Sequence, residues 1–168
     1  ELAGQLDVNL LGSIRTIQLV LPTMRDAGSG LIINIGSVAG LVSIPFQSSY
    51  SASKYALEAV TDALRIECRQ YGIKACTIEP GDTKTDFTGN RILSSKSVEG
   101  SAYNESMKNA IYAMEQSEQK GHSPEKVASV VLSMLGKRNP PARRPVGLDY
   151  RLMCMGIKLL PARLVQFA

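Results

Sequence analysis

Leu31-Ile32-Ile33-Asn34-Ile35-Gly36 is a nearly unbroken apolar run closed by a glycine. A strand with so little polar alternation is one covered on both faces. Ile73 to Glu79 has the same character. Between the two runs, a helical pattern extends from about Ser48 to Tyr71, with Leu57, Val60, Leu64 and Cys68 on one face and a stop at Gly72. Strand, helix, strand in that order predicts parallel strands joined by a helical crossover, in an α/β sheet with helices on both sides.

The flanks extend the alternation. From about Leu6 to Ala27, Leu10, Ile14, Ile17, Leu21 and Met24 recur at three- and four-residue steps, predicting a helix that Pro22 should bend and Gly28-Ser29-Gly30 should end. Leu11, Leu19 and Val20 lie off that stripe, as on a helix with two partners. Residues 83–121 are rich in Thr, Ser, Asn and Lys, with one moderately amphipathic stretch near Met107 to Met114, and read as a lid over a binding site. Ser123-Pro124-Glu125 announces a helix to about Leu135 by a hydroxyl cap, an N-terminal proline and a first-turn acid. Asn139-Pro140-Pro141 breaks the chain, Arg144 to Gly147 reads as a short strand, and Asp149 onward as a helix interrupted at Gly156 and Pro161. The expected organisation is one domain: 1–82 its core, 83–121 the lid, 122–168 the terminal helix, strand and tail.

Tyr50 and Lys54 stand four residues apart in Tyr50-Ser51-Ala52-Ser53-Lys54, so a helix places them on one face. A free phenol has a pKa of about 10, too high for proton exchange at neutral pH, and a neighbouring ammonium is expected to lower it. Ser37, thirteen residues before the tyrosine at a strand end, adds a hydroxyl to the same region. The pair alone also fits an ordinary solvated helix contact, and Ser37 a capped strand end.

The order and spacing of Asn9-Leu10-Leu11-Gly12, Gly36-Ser37-Val38-Ala39-Gly40, Tyr50-Ser51-Ala52-Ser53-Lys54 and Pro80-Gly81 resemble the short-chain dehydrogenase/reductase family, closely over about residues 1 to 88. The resemblance implies a Rossmann-like doubly wound parallel sheet, of which this chain would be the C-terminal portion. It implies an oxidoreductase that interconverts a carbonyl and an alcohol with NAD or NADP. Catalytic roles then fall to Tyr50 as acid/base, Lys54 as its electrostatic partner and ribose contact, Ser37 as orienter of the substrate oxygen, and Asn9 as holder of a proton-relay water. Cofactor contacts fall to Tyr50, Lys54, Pro80, Gly81, Thr83 and Thr85. The family often has an aliphatic residue where Thr83 stands. A homodimer or homotetramer is implied, through the helices near Leu6 and Ser48.

The family's glycine-rich strand–turn–helix and its Asn-Asn-Ala-Gly run do not occur in this sequence. The chain therefore reads as an N-terminally truncated member whose activity belongs to the full-length parent. The alternative is a fragment unable to bind dinucleotide, its Leu31–Gly36 strand left with an unpaired edge. A serine hydrolase is the rival enzyme: Ile35-Gly36-Ser37-Val38-Ala39 lacks the nucleophile-elbow spacing, and the only histidine, His122, reads as a polar loop residue.

Composition narrows the classes. Cys68, Cys76 and Cys154 lack metal-ligand spacing and read as reduced thiols of a cytoplasmic protein without a metal. The net charge of +4 is scattered apart from Lys137-Arg138 and Arg143-Arg144, so nucleic acid is not an expected partner. No apolar run approaches the roughly 20 residues of a membrane span, so stable membrane insertion is not expected. The tail, with Leu152, Met153, Met155, Leu159, Leu160 and Leu164 beside Arg151, Lys158 and Arg163, is expected to wall a pocket for a small-molecule substrate rather than rest on a membrane surface. Its runs Leu148-Asp149-Tyr150-Arg151 and Leu159-Leu160-Pro161 resemble the tails of steroid- and retinoid-type members of the family, which implies a lipophilic substrate.

Overall fold

The computed structural model describes residues 2–93, 100–161 and 163, apart from the side chain of Lys158. Residues 94–99 of the expected lid, and Leu164 of the tail, lie outside the described residues. Three parallel strands form one sheet in the order β1-β2-β3, namely β1 (Gly30–Ile35), β2 (Ile73–Glu79) and β3 (Arg143–Pro145). Gly30 pairs with Ile73 and Ile35 with Ile78, and Thr77 to Glu79 continue the ladder onto β3.

Helices cover both faces because successive strand residues point to opposite sides. On one face, Ile32, Ile73 and Ala75 pack with Ile17 of α2 (Gly12–Asp26) and with Leu64 and Cys68, on and just beyond α3 (Ser48–Glu67). On the other, Ile33 and Ile78 meet Val127, Val130, Val131 and Met134 of α5 (Pro124–Leu135), with Val146 beside them. This is the doubly wound arrangement, here in part.

The first helix is not uniform. α1 (Leu2–Leu6) passes through a π-helical turn (Asp7–Leu11) into α2, which runs on through Pro22. The α3 pattern expected to Tyr71 ends at Glu67 and tightens into a 3₁₀ turn over Arg69–Tyr71. In the polar segment after β2, α4 (Asn104–Gln119) is longer than its apolar stripe implied. α6 (Leu148–Leu159) follows β3 without a break at Gly156.

Charge is also built into the core. Arg143 of β3 sets its Nε 3.0 Å from Glu58 Oε2 and 3.7 Å from Glu79 Oε1, and its other nitrogen on Asp62. Burial pushes the Glu58 carboxyl up from its ordinary range, against the pull of Arg143. Patterning alone assigns such acids to solvent; here they lock α3 to β2 and β3.

Candidate active site

The C-terminal ends of β1 and β2 open into a cavity of about 1080 Å³ with a mostly apolar lining. Gly36 and Ser37 leave β1 at its rim. A Cβ on Gly36 would stand 2.5 Å from Thr77 Cγ2 and 2.7 Å from Glu58 Oε1, so the chain turns there only with glycine. Ser37 then caps a 3₁₀ turn (Val38–Gly40), its Oγ accepting from the Ala39 amide at 3.1 Å. The Val38 amide donates to the Pro80 carbonyl at 3.0 Å, fixing the two strand ends side by side.

Tyr50 and Lys54 face this rim from the first turns of α3. Lys54 Nζ lies 5.7 Å from the Tyr50 ring centre and donates to the Ile35 carbonyl at 3.0 Å. Both shifts run against the charged forms. Burial raises the Tyr50 phenol above its ordinary value, a hydrogen bond with Ser37 pulls it down, and Glu118 adds to the rise. Burial lowers the Lys54 ammonium, with Glu58 acting the other way. The expected depression of the phenol by Lys54 is thus absent in the ligand-free chain. The ammonium is directed at the Ile35 carbonyl, and desolvation outweighs its field.

Asn9 sits in the π-helical turn and reaches the same cavity. Its Nδ2 donates to Ser53 Oγ at 3.0 Å, and Ser53 in turn donates to the Tyr50 carbonyl at 2.7 Å, tying the first helix to the tyrosine's own turn. π turns recur at functional sites, and nothing in the periodicity of residues 6–27 discloses this one.

Pro80 and Gly81 line the cavity at the end of β2. The space a side chain would take at Gly81 is filled by this chain's Tyr150, whose ring carbons come within 2.1 Å of a Cβ built there. Tyr150 Oη accepts from the Asp82 amide and donates to Asp82 Oδ2, both at 2.9 Å. Thr83 Oγ1 donates to the Gly81 carbonyl at 3.0 Å, and Thr85 Oγ1 accepts from the Phe87 amide at 3.2 Å. Both threonines line the cavity while bracing their own loop.

Of the tail residues expected to wall a pocket, Met153 and Leu160 line the cavity while Leu152, Met155 and Leu159 do not. Sequence reasoning did not single out Val42, Ile44, Phe87, Glu118 and Ile157 of the lining. Phe87 lies against the Tyr50 ring at 5.8 Å between centres, and Arg91 holds Glu118 at 2.7 Å. His122 is also more engaged than a loop histidine, with Nε2 3.0 Å from Asp149 Oδ1 and Nδ1 3.1 Å from Lys126 Nζ. Its ring stands edge-on to Tyr150 at 5.8 Å, and its ring nitrogens are directed at Asp149 and Lys126 rather than at Ser37, so a Ser-His-Asp triad is not assembled. Among the described residues, no group of His, Cys, Asp and Glu is placed to hold a metal.

The chain belongs to the short chain dehydrogenase family, whose model matches residues 3–95. It is 36% identical over 169 residues to a 3-ketodihydrosphingosine reductase of Bacteroides thetaiotaomicron, covering all of this chain and 63% of that protein. The crystal structure of a short-chain dehydrogenase from Streptomyces avermitilis superposes with a TM-score of 0.79 at 30% identity, over 99% of this chain and 60% of that one. A short chain dehydrogenase/reductase from Burkholderia phymatum, solved in complex with NAD, shares the fold with a TM-score of 0.71 at 21% identity, over 92% of this chain and 57% of that one. The chain therefore spans about 60% of the length of these relatives.

Proposed function

We propose that the parent protein interconverts a carbonyl and an alcohol with NAD or NADP, using Tyr50 as the proton donor and acceptor. The observation that carries this reading is the convergence of Tyr50, Ser37 and Lys54 on one cavity at the carboxyl ends of β1 and β2, where open α/β sheets take their ligands. The donor set suits the nicotinamide end of a dinucleotide. Lys54 has further N–H groups beyond the one given to Ile35, and an ammonium with spare donors suits ribose hydroxyls. When bound, the cofactor supplies or removes the hydride.

The rest falls to this chain. In reduction the carbonyl oxygen takes the Tyr50 proton as hydride reaches its carbon, and the Ser37 hydroxyl holds that oxygen in place. Burial holds the Tyr50 phenol in the protonated form from which reduction starts. The acceptor role requires its value to fall toward the working pH, as the Lys54 ammonium would make it once turned from Ile35 to the phenol. Asn9 and Lys54 are the groups through which the tyrosine regains its proton. The aliphatic and thioether lining favours a lipophilic substrate, and the relative named for 3-ketodihydrosphingosine reduction is consistent with that preference.

In the full-length enzyme, Tyr50→Phe keeps the ring and removes the exchangeable proton. Turnover should fall roughly 10²–10⁴-fold while cofactor affinity holds. Lys54→Ala should impair both, because the charge and the ribose contact go together. A phenylalanine variant with near-normal turnover would end the assignment. A second reading, that this 168-residue chain alone binds no dinucleotide, is favoured by the lack of a glycine-rich phosphate turn in its sequence. Fluorescence titration of the chain with NADH and NADPH separates the two.

A further inference from the structure

We infer that α6 rests on an anionic lipid bilayer surface and sets the cavity beside it, so that the site draws its substrate from the membrane. α6 is apolar on two opposed faces. Tyr150, Met153, Ile157 and Leu160 wall the cavity from one face and the residue that follows the helix. Leu148, Leu152, Met155 and Leu159 follow at steps of four, three and four, a second stripe, and they are 69%, 56%, 53% and 84% exposed. A contiguous exposed stripe of this size on a helix marks a surface that is covered in use.

Charge selects the occupant. From Leu148 to Arg163 the sequence carries Arg151, Lys158 and Arg163 against one acid, Asp149. Arg151 and Arg163 are exposed, and Asp149 is engaged by His122. An apolar stripe with the exposed Arg151 on the same helix, in a segment of net positive charge, suits the boundary between headgroups and acyl chains of anionic lipid. A two-fold contact between two copies of α6 would instead bring these cations together. The cavity wall lies one helix diameter, about 10 Å, from the stripe, so a long-chain carbonyl or alcohol would pass from bilayer to site around a single helix. The substrate half of this inference rests on the function proposed above; the docking half stands on α6 alone.

The test is flotation of the 168-residue chain with vesicles rich in phosphatidylglycerol and, separately, with phosphatidylcholine vesicles. Binding should be strong on the first and weak on the second. Leu152→Glu with Leu159→Glu should abolish it without change in circular dichroism, since neither residue lines the cavity; if the pair unfolds, Leu159→Glu alone carries the test at the more exposed position. Arg151→Gln should weaken anionic binding roughly fivefold. Equal binding to both vesicle types, or full binding by the stripe variant, would overturn the inference. So would a stripe variant that turns a lipid-free dimer into a monomer, which would assign the face to a second protein. In the full-length enzyme, Tyr50→Phe should bind vesicles as the unsubstituted enzyme does. Loss of turnover in that variant with binding intact speaks to the carbonyl–alcohol reading, whereas failure to bind vesicles speaks to α6 alone.

Discussion

Tyr50 and Tyr150 both line the cavity, and burial raises both phenols above their ordinary value. For Tyr150 the causes are burial and the Asp82 carboxylate, which together push its phenol up to about 12, against the Asp82 amide that donates to its oxygen. A free tyrosine titrates at about 10. Because the folded value is the higher one, the stabilisation is complete below pH 10, declines as the unfolded phenol ionises, and is gone above about 12. Tyr150→Phe should therefore be less stable than the parent near neutral pH, having lost both hydrogen bonds to Asp82, and the gap should narrow between pH 10 and 12. Urea unfolding across that range measures it, and a constant gap would mean that the Tyr150 proton is not linked to folding. The sequence disclosed Tyr50, because its spacing from Lys54 and Ser37 is local. It did not disclose Tyr150, whose partner Asp82 is 68 residues away.

The segment between β2 and α5 is held to the site by its ends. Asp82 Oδ2 accepts from Ser117 of α4 and from Tyr150 of α6, so one carboxylate fastens two of the helices that face the cavity. Asn104–Gln119 shows little apolar periodicity because Met107 is its one buried residue and much of the rest faces solvent. Composition marks a polar segment but not that part of it is helical. Patterning did better with α3, whose Leu57 and Leu64 face the core as their spacing required. A lid over the site should order when cofactor and substrate bind. In the full-length enzyme, amide exchange across α4 is expected to slow on forming that complex, with little change in β2. Equal exchange with and without ligands would remove the lid.

The inner ion cluster joins elements that are remote in sequence. Arg143→Ala would leave Glu58, Glu79 and Asp62 without their shared guanidinium. Removing one side of a buried ion pair costs about 3–5 kcal/mol, and the partly exposed guanidinium places this case near the lower bound. Chemical denaturation of Arg143→Ala should show that loss, and Arg143→Met should recover part of it by packing alone. Glu58 and Glu79 were invisible to pattern reading because charge is ordinarily placed in water. Their partner becomes apparent only once β3 lies beside β2.

At the scale of the whole molecule, the surface left open predicts assembly. Val8 and Leu11 of the π-helical turn, Leu19 of α2, and Tyr55 and Ile66 of α3 remain exposed although α2 and α3 have already turned Ile17, Leu57 and Leu64 inward. Apolar side chains spread over adjoining helices suit a two-fold contact in which each helix meets its twin. Among the described residues β1 is an edge strand, so pairing of two such edges offers a competing route to self-association. The two differ in what disrupts them. Leu19→Glu places a charge on the helical face and leaves the edge of β1 untouched, so a helix-mediated dimer should become monomeric while an edge-paired one persists. Sedimentation of the full-length protein at micromolar concentration is expected to show a dimer, or a dimer of dimers, that Leu19→Glu breaks. A monomer in the unsubstituted protein would refute assembly through these helices, and a dimer indifferent to the charge would place the contact away from Leu19.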